Sequence, residues 1–498
     1  MTTDEPSAEL TRVQRRAVEE LLRISPVVDE LGVRFAKAGH ELYLVGGSVR
    51  DALLGRLGDD LDFTTDAHPD AIEALVEGWA HGTWTTGKRF GTIGAQRGEF
   101  RLEITTYRTE SYDVDSRKPD VQFGTSLTDD LLRRDFTVNA MAVAIPQRLF
   151  VDPFGGLADL AGRRLRTPGL PENSFGDDPL RMLRAARFAA QLGFVVAPEV
   201  VGAMQAMAER LRIVSAERIA AELNKLLLSP DPRTGLALLV DTGIAAVVLP
   251  ELPALRLSID PVHRHKDVYD HTLAVLERSM SLEPAGPDLT LRMAALLHDI
   301  GKPKTRRFEE EGGVSFHHHE VVGRDMTRNR LVALKYPKTF IDDVATLVEL
   351  HLRFHGYSDA PWTDAGVRRY VRDAGHLLDR LHLLVRSDCT TRNKGKADRL
   401  SRAYDDLERR IAELAEQEEL DSIRPDLDGS DIMRVLDVAP GRIVGQARNF
   451  LLELRIERGP LPHEEALREL LAWAAGQGLA VPSYEEALVR LDTEPLDA

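Results

Sequence analysis

The chain has 498 residues, a net charge of −16 and 43% hydrophobic residues, which is typical of folded globular proteins. Its length predicts roughly three or four domains and a core that needs no disulfide or metal. The single cysteine, Cys389, excludes a disulfide framework and favours a reducing compartment, so we expect a cytoplasmic protein in which this thiol packs as a small hydrophobic group. The sequence predicts no transmembrane helix and no secretory signal.

The negative charge is concentrated after residue 401, whereas residues 161–225 carry more basic than acidic side chains. Nucleic acids bind to basic surfaces. We therefore expect a nucleic acid to contact the middle of the chain rather than its acidic tail.

The predicted elements begin with a helix over 8–40, a strand over 41–47 and a hairpin over 91–107. The apolar spacing is helical from about 175 to 250, with a helix start at Ser215. Residues 253–265 resemble a linker, 266–400 are helical and rich in histidine, and 401–419 predict a charged helix. The fold class is therefore α+β, a mixed head followed by an all-helical body. The predicted parts are an N-terminal helix (1–30), a head (31–170), a neck (171–260), a histidine-rich domain (261–400) and a tail (401–498).

A glycine turn in the head predicts a phosphate site. Gly46 and Gly47 follow a predicted strand and open a helix, where backbone N–H groups can approach a phosphate and Arg50 can add a charge-assisted contact. A tight strand–helix turn without a ligand is the alternative.

Two carboxylates in the head predict a magnesium site. Asp60 and Asp62 alternate with Leu61, which puts both carboxylates on one face of a strand, where a hard cation can relieve their repulsion. Glu103 lies on a second predicted strand and can complete a two-metal site for phosphoryl transfer. Taken alone, such a pair is more often an ordinary surface feature.

Several segments together resemble a known family. LYLVGGSVRDALLG, DDLDFTTDA and LLRRDFTVNAMA resemble the class II tRNA nucleotidyltransferases and the bacterial poly(A) polymerases, members of the polymerase-beta-like superfamily. The resemblance continues through FGDDPLRMLRAARFAAQLGF and SAERIAAELNKLL, and so covers at least residues 30–260. It implies a polymerase-beta-like head in which Asp60 and Asp62 hold Mg²⁺ and the glycine turn contacts the triphosphate. It also implies a nucleotide contact from Arg134, which alone would be read as part of a solvated basic pair.

A three-residue repeat in the neck consists of Asp178, Arg181, Arg184 and Arg187. On one helix the first three would share an arc of ~120°, which suits either a salt-bridged polar face or a base-reading surface. A carboxylate accepts from the exocyclic amine of cytosine or adenine, whereas uracil and guanine present a carbonyl there. The family motif is Glu-Asp-x-x-Arg and here begins Asp177-Asp178. The resemblance implies that Asp178 and Arg181 read C and A, while Arg184 and Arg187 hold phosphates or orient Asp178.

The histidine-rich domain contains an ordered set of metal-ligand types. They are His271, His298, Asp299, His319, His351 and Asp388. Mixtures of imidazole and carboxylate suit Mn, Fe, Ni or Co, although each histidine alone is more often structural. The set resembles the HD phosphohydrolase domain in its two-metal form, which implies hydrolysis of phosphate esters or of 2′,3′-cyclic RNA ends.

The family resemblance implies template-independent addition of CCA to tRNA 3′ ends from CTP and ATP, with Mg²⁺ as cofactor and pyrophosphate as product. The long polar segment over 107–124 is similar to the flexible loop of full CCA-adding enzymes. Two alternatives remain: a poly(A) polymerase that adds AMP to RNA 3′ ends, and a metal phosphohydrolase or cyclic phosphodiesterase whose head only binds tRNA. The acidic tail and the intact Asp60–Asp62 pair favour CCA addition over both.

Overall fold

The computed structural model describes residues 8–111, 120–257, 267–309, 314–354, 357, 362–389, 394–418 and 424–492. The chain separates into two compact units. One comprises Met1–Arg256 with Arg330–Tyr336, and the other comprises Leu257–Asn329 with Pro337–Ala498. Among the helices described, none has the length and apolar character to cross a bilayer.

The strands of the first unit belong mainly to the head. They are β1 (Leu42–Val45), β2 (Asp60–Thr65), β3 (Gly82–Trp84), β4 (Thr92–Arg97), β5 (Phe100–Thr106), β6 (Arg108–Ser111), β7 (Asp120–Phe123), β8 (Ala142–Ala144), β9 (Phe150–Val151), β10 (Arg164–Leu165) and β11 (Val195–Val196). Seven of them form a mixed sheet in the order β3-β4-β5-β2-β1-β8-β9, in which β2 and β5 are parallel. The predicted strand over 41–47 and hairpin over 91–107 are confirmed as β1 and the β4–β5 pair.

The helices of the first unit surround this sheet and build the neck. They are α1 (Ala8–Lys37), α2 (Gly47–Leu53), α3 (Pro69–Val76), α4 (Leu127–Leu132), α5 (Gly156–Ala161), α6 (Pro171–Asp177), α7 (Leu180–Leu192), α8 (Pro198–Met207), α9 (Ala216–Leu227), α10 (Pro232–Asp241) and α11 (Ile244–Val248). The predicted leading helix is confirmed and runs to Lys37, beyond residue 30. Ser215 caps α9 as predicted, because its hydroxyl accepts a hydrogen bond from the Arg218 N–H.

The prediction that Asp178 shares one helix with Arg181 and Arg184 is wrong. Asp178 has an extended backbone (φ −141°, ψ 101°) between α6 and α7. Pro179 explains the break, since a residue that precedes proline avoids the α region. The three arginines of the repeat all lie on α7, and only the carboxylate stands outside it.

Where the second unit is described, it is helical except for one short hairpin, formed by β12 (Arg307–Phe308) and β13 (Val314–Ser315). Its helices are α12 (Val268–Leu282), α13 (Leu289–Leu297), α14 (Lys302–Thr305), α15 (His319–Ala333), α16 (Lys338–Leu350), α17 (Asp364–Ala374), α18 (Leu378–Asp388), α19 (Lys394–Glu418), α20 (Gly429–Leu436), α21 (Arg442–Arg458), α22 (His463–Gly476) and α23 (Tyr484–Asp492). The predicted charged helix over 401–419 is therefore the later part of α19. The last four helices share an apolar core that includes Ile432, Ala447 and Leu470.

Two sequence features are only partly described by the structure, and a third, Cys389, differs from its predicted burial. The centre of the polar loop, residues 112–119, and the end of the linker, residues 258–266, lie outside the described residues. Cys389 follows α18, and its side chain is partly exposed rather than fully buried.

Candidate nucleotide site and metal centre

The glycine turn connects β1 to α2. Gly46 has φ +68°, a left-handed conformation that glycine adopts without strain. A Cβ at this position would lie 2.8 Å from Nη1 of Arg134. Glycine therefore serves two purposes here, since it turns the chain sharply and lets a guanidinium approach the backbone of the turn.

The carboxylates lie beside this turn on the parallel strands β2 and β5. The register pairs Asp62 with Glu103, and the side chains of Asp60, Asp62 and Glu103 are exposed while Leu61 is buried. Although Asp62 is exposed by surface area, loss of hydration beside the surrounding protein is the largest cause that raises its pKa, and the charges of Glu103 and Asp60 raise the pKa further against the opposing effect of Arg134. Mutual repulsion of this kind is relieved by a divalent cation, so the donor set fits Mg²⁺.

Two neighbouring arginines are held at the cleft by a buried acid, Asp130. Its carboxylate is fully buried and accepts from Nε and Nη2 of Arg133, from Nη2 of Arg134 at 3.1 Å and from the Thr64 hydroxyl at 3.2 Å. Burial raises the pKa of Asp130, but Arg134 and Arg133 outweigh it and hold the pKa below its usual range. The arginines therefore keep fixed orientations in the absence of a ligand.

A second buried acid, Asp135, connects the head to the neck. One carboxylate oxygen accepts from the Asn139 amide at 2.8 Å, and the other accepts from Nε of Arg184 at 2.7 Å. The Asn139 oxygen in turn accepts from Arg50 at 2.6 Å. Burial opposes ionisation of Asp135, yet Arg184 and Asn139 hold its pKa below the usual range. On α7, Arg187 pairs with the buried Glu222 at 2.8 Å.

These groups surround a cleft of about 820 Å³ that is open to solvent. Nine of the predicted site residues line it, namely Gly46, Gly47, Arg50, Asp62, Arg134, Asp178, Arg181, Arg184 and Arg187. The structure thus brings the phosphate-binding and base-reading candidates into one space. The cleft lining does not include Asp60 or Glu103, which lie on β2 and β5, where Glu103 pairs in register with Asp62.

The predicted base-reading pair already has protein partners. Arg181 donates through Nη1 to the carbonyl and hydroxyl oxygens of Ser174 and through Nη2 to the carbonyl of Arg133. Asp178 accepts from the Leu180 N–H at 3.1 Å and from Nη2 of Arg218 at 2.6 Å. The guanidinium is therefore rigidly oriented, and the carboxylate is shared with an arginine of α9.

Sequence reasoning missed five residues that organise the cleft: Asp130, Asp135, Asn139, Arg218 and Glu222. Asp135 and Asn139 lie within the segment LLRRDFTVNAMA, so their position in a recognised motif was the available signal. Arg218 and Glu222 likewise lie within the segment SAERIAAELNKLL, although no spacing rule connects Arg218 to its partner Asp178, which lies 40 residues earlier.

The HD set of the second unit forms two groups of three ligands. His271, His298 and Asp388 make one group, while Asp299, His319 and His351 make the other. Within each group the ligand atoms lie within 4.8 Å of one another, and among the described residues these are the groups that meet this distance. All six predicted side chains are thereby brought together.

The imidazoles of this centre are oriented as metal ligands usually are. Nδ1 of His298, His319 and His351 each lies 2.6–2.8 Å from the carbonyl oxygen three residues earlier, which directs Nε2 into the centre. Nε2 of His351 is buried without a hydrogen-bond partner, and the buried Nε2 of His319 and Oδ1 of Asp299 lie 3.2 Å apart as an ion pair without hydrogen-bond geometry. Buried lone pairs on nitrogen and oxygen that converge in this way fit a divalent cation.

The local packing supports this arrangement. A Cβ on Gly301 would lie 2.1 Å from the His319 carbonyl, so glycine permits the close approach of α15 to the His298–Asp299 turn. Burial lowers the pKa of His351 to about 3, and the positive charge of His298 adds to this effect. His351 is therefore neutral at physiological pH, the state in which an imidazole binds metal.

Models of known protein families match segments of both units. Residues 42–166 match the poly(A) polymerase head domain, 193–255 match the probable RNA- and SrmB-binding site of polymerase A, and 268–417 match the HD domain. An A-adding tRNA nucleotidyltransferase of Deinococcus radiodurans is 36% identical over 86% of this chain and 95% of its own length. A CC-adding tRNA nucleotidyltransferase of Thermus thermophilus is 34% identical over 88% of this chain and 94% of its own length.

The chain belongs to the tRNA nucleotidyltransferase family. A CCA-adding enzyme of Levilactobacillus brevis is 44% identical over 45% of this chain and 55% of that protein. The Bacillus stearothermophilus CCA-adding enzyme in complex with CTP has a TM-score of 0.65 at 25% identity, covering 90% of this chain and 98% of that one.

We expect Asp130→Asn to destabilise the first unit by roughly 1.5–3 kcal/mol at pH 7, because three charge-assisted hydrogen bonds lose their anion. The control is Asp129→Asn, an exposed neighbour on the same helix, for which we expect a change of at most about 0.5 kcal/mol. Urea unfolding of the full-length wild type and variants gives the free energies of unfolding from which both changes are measured.

The same pair of variants gives a pH test. Since the pKa of Asp130 is lowered in the folded state, its charge stabilises the fold above the usual Asp pKa of about 4. That contribution is lost as the pH falls through the lower folded value. The difference between wild type and Asp130→Asn should therefore shrink below about pH 4, and a constant difference would show that the loss is not electrostatic.

Proposed function

We propose that this protein adds CCA to the 3′ ends of tRNA from CTP and ATP and releases pyrophosphate. The observation that carries this proposal is the single cleft lined by Gly47, Asp62 and Arg134 of the head and by Asp178 and Arg181 of the neck. Nucleotidyl transfer requires a triphosphate and a reacting hydroxyl at one end of the site, and C or A selection requires a base reader at the other.

The head supplies the groups for the transfer. Asp60 and Asp62 would hold Mg²⁺, with Glu103 as the adjacent carboxylate, and the bound ion would acidify the 3′-hydroxyl and neutralise charge on the leaving pyrophosphate. Arg50 and Arg134 present guanidinium groups to the triphosphate, and their buried partners fix them before the substrate binds. Catalysis then depends on positioning and charge, without a covalent enzyme intermediate.

The neck supplies the base reader. Asp178 can accept a hydrogen bond from the exocyclic amine of cytosine or adenine, which uracil and guanine lack at that position. Arg181 donates three hydrogen bonds to the protein, which leaves two of the five N–H groups of a guanidinium for ring acceptors. A protein surface would therefore choose the nucleotide without a nucleic-acid template.

A second candidate is addition of only one nucleotide type. Two relatives that this chain covers at 95% and 94% of their length are named A-adding and CC-adding, so their names favour an enzyme that performs only one of the two additions.

The decisive test uses tRNA that lacks CCA, tRNA that ends in CC and an unstructured RNA, each with Mg²⁺ and with CTP, ATP or both. We expect C, C and A to be added to the first tRNA, and then a stop.

Other products would contradict the proposal. Addition of C alone, or of A alone to tRNA that ends in CC, would establish the divided activity, and long A-tails on either RNA would establish a poly(A) polymerase.

Asp62→Ala should lower the rate of nucleotide addition by more than about 100-fold, because it removes a proposed metal ligand. Asp59→Ala changes an exposed acid just before β2 and should retain activity.

We further propose that the six HD residues bind divalent metal and hydrolyse phosphate esters or 2′,3′-cyclic RNA ends. This rests on the two groups of ligands and their converging buried lone pairs. His351→Ala should lower Mn²⁺ or Ni²⁺ affinity at least about tenfold in calorimetric titration, while His376→Ala, an exposed control, should not.

The hydrolysis is tested with 2′,3′-cyclic AMP and a phosphate monoester on the metal-loaded protein. We expect His351→Ala to lose hydrolysis and to keep nucleotide addition. Metal binding without hydrolysis would leave a structural metal centre, and loss of both activities would show that the two sites depend on each other.

A further inference from the structure

The carboxylate assigned to base reading is held by Arg218, which lies outside the Glu-Asp-x-x-Arg motif. Nη2 of Arg218 lies 2.6 Å from Oδ2 of Asp178, and both residues line the cleft. The Asp178 side chain is 17% exposed, whereas that of Arg218 is 53% exposed. The contact therefore lies where an incoming base would meet it.

The helices on either side do not restrain the side chain of Asp178. This residue stands between two helices in an extended conformation, so no helical turn limits the rotation of its side chain. The Leu180 N–H holds one carboxylate oxygen at 3.1 Å, and Arg218 holds the other. Removal of Arg218 would leave a single hydrogen bond to define the plane of the carboxylate.

Arg218 itself is well anchored at its backbone. Its N–H is bonded to the Ser215 cap at the start of α9, and the buried side chains of Ile219 and Leu223 attach that helix to the neck. One turn further along, Glu222 pairs with Arg187 of α7. The guanidinium therefore reaches Asp178 from a fixed base on the adjacent helix.

We propose that Arg218 is a positioning residue for nucleotide selection, which fixes the Asp178 carboxylate in the orientation that accepts an exocyclic amine. This inference rests on the proposed function. A carboxylate has about four acceptor positions, and Leu180 and Arg218 use two of them, so an amine can bind while Arg218 stays in place.

Loss of this orientation would weaken selection in two ways. A carboxylate that turns aside no longer accepts the amine of cytosine, and it no longer repels the carbonyl of uracil at the same position. Use of CTP should therefore fall while use of UTP is maintained or rises. A purely structural role for Arg218 would instead lower the use of all nucleotides by the same factor.

The test compares Arg218→Ala and Arg218→Lys with wild type, by kcat/KM for CTP and for UTP on tRNA that lacks CCA. We expect Arg218→Ala to lower the CTP-to-UTP ratio about tenfold or more. Arg218→Lys should give a CTP-to-UTP ratio between those of wild type and Arg218→Ala, because an ammonium keeps the charge but not the planar fork of the guanidinium. Arg212→Ala removes an exposed arginine that pairs with Glu209 outside the cleft, and it should retain the wild-type ratio.

The outcomes separate this inference from the proposed function. If wild type does not add C, C and A to tRNA that lacks CCA, the proposed function has failed. If wild type is active and Arg218→Ala keeps the CTP-to-UTP ratio, the inference alone is wrong. A change confined to the KM for tRNA would likewise overturn it, and would show that Arg218 binds an RNA phosphate.

Discussion

The site depends on one buried carboxylate, that of Asp135, which belongs to the head and receives hydrogen bonds from both sides of the cleft. Asn139 connects it to Arg50 beside the glycine turn, and Arg184 connects it to helix α7 of the neck. Truncating one member of such a buried pair is costly because the other is left unpaired. Asp135 therefore relates the position of the proposed triphosphate site to that of the proposed base reader, and these two sites must be separated by the length of one nucleotide.

The cleft is cationic although the chain carries a net charge of −16. Eight arginines line it, namely Arg50, Arg108, Arg133, Arg134, Arg181, Arg184, Arg187 and Arg218. Buried acids on the protein side, among them Asp130 and Glu222, hold several of these arginines in place and reduce their mutual repulsion. Net charge describes the whole surface, whereas the recognition of a triphosphate depends on the local field within a cleft.

Much of the fold and part of the site could be predicted from local sequence. Strand alternation placed Asp60 and Asp62 on one face, and the glycine pair located the β1–α2 turn, because both features depend on only a few neighbouring residues. The three-residue repeat misplaced Asp178, since a count of spacing gave too little weight to Pro179. The contacts of Asp130, Asp135 and Arg218 could not be predicted by such rules, because side-chain partners that lie far apart in sequence are set by tertiary packing.

The central claim is that the protein itself distinguishes C and A from U and G in one cleft. Equilibrium binding of the four nucleoside triphosphates to the purified protein, with Mg²⁺ and without RNA, tests this claim most directly. The account predicts that CTP and ATP bind at least about tenfold more tightly than UTP and GTP, since the partly buried carboxylate of Asp178 loses a hydrogen bond when a carbonyl faces it. Equal affinities for all four nucleotides would contradict it.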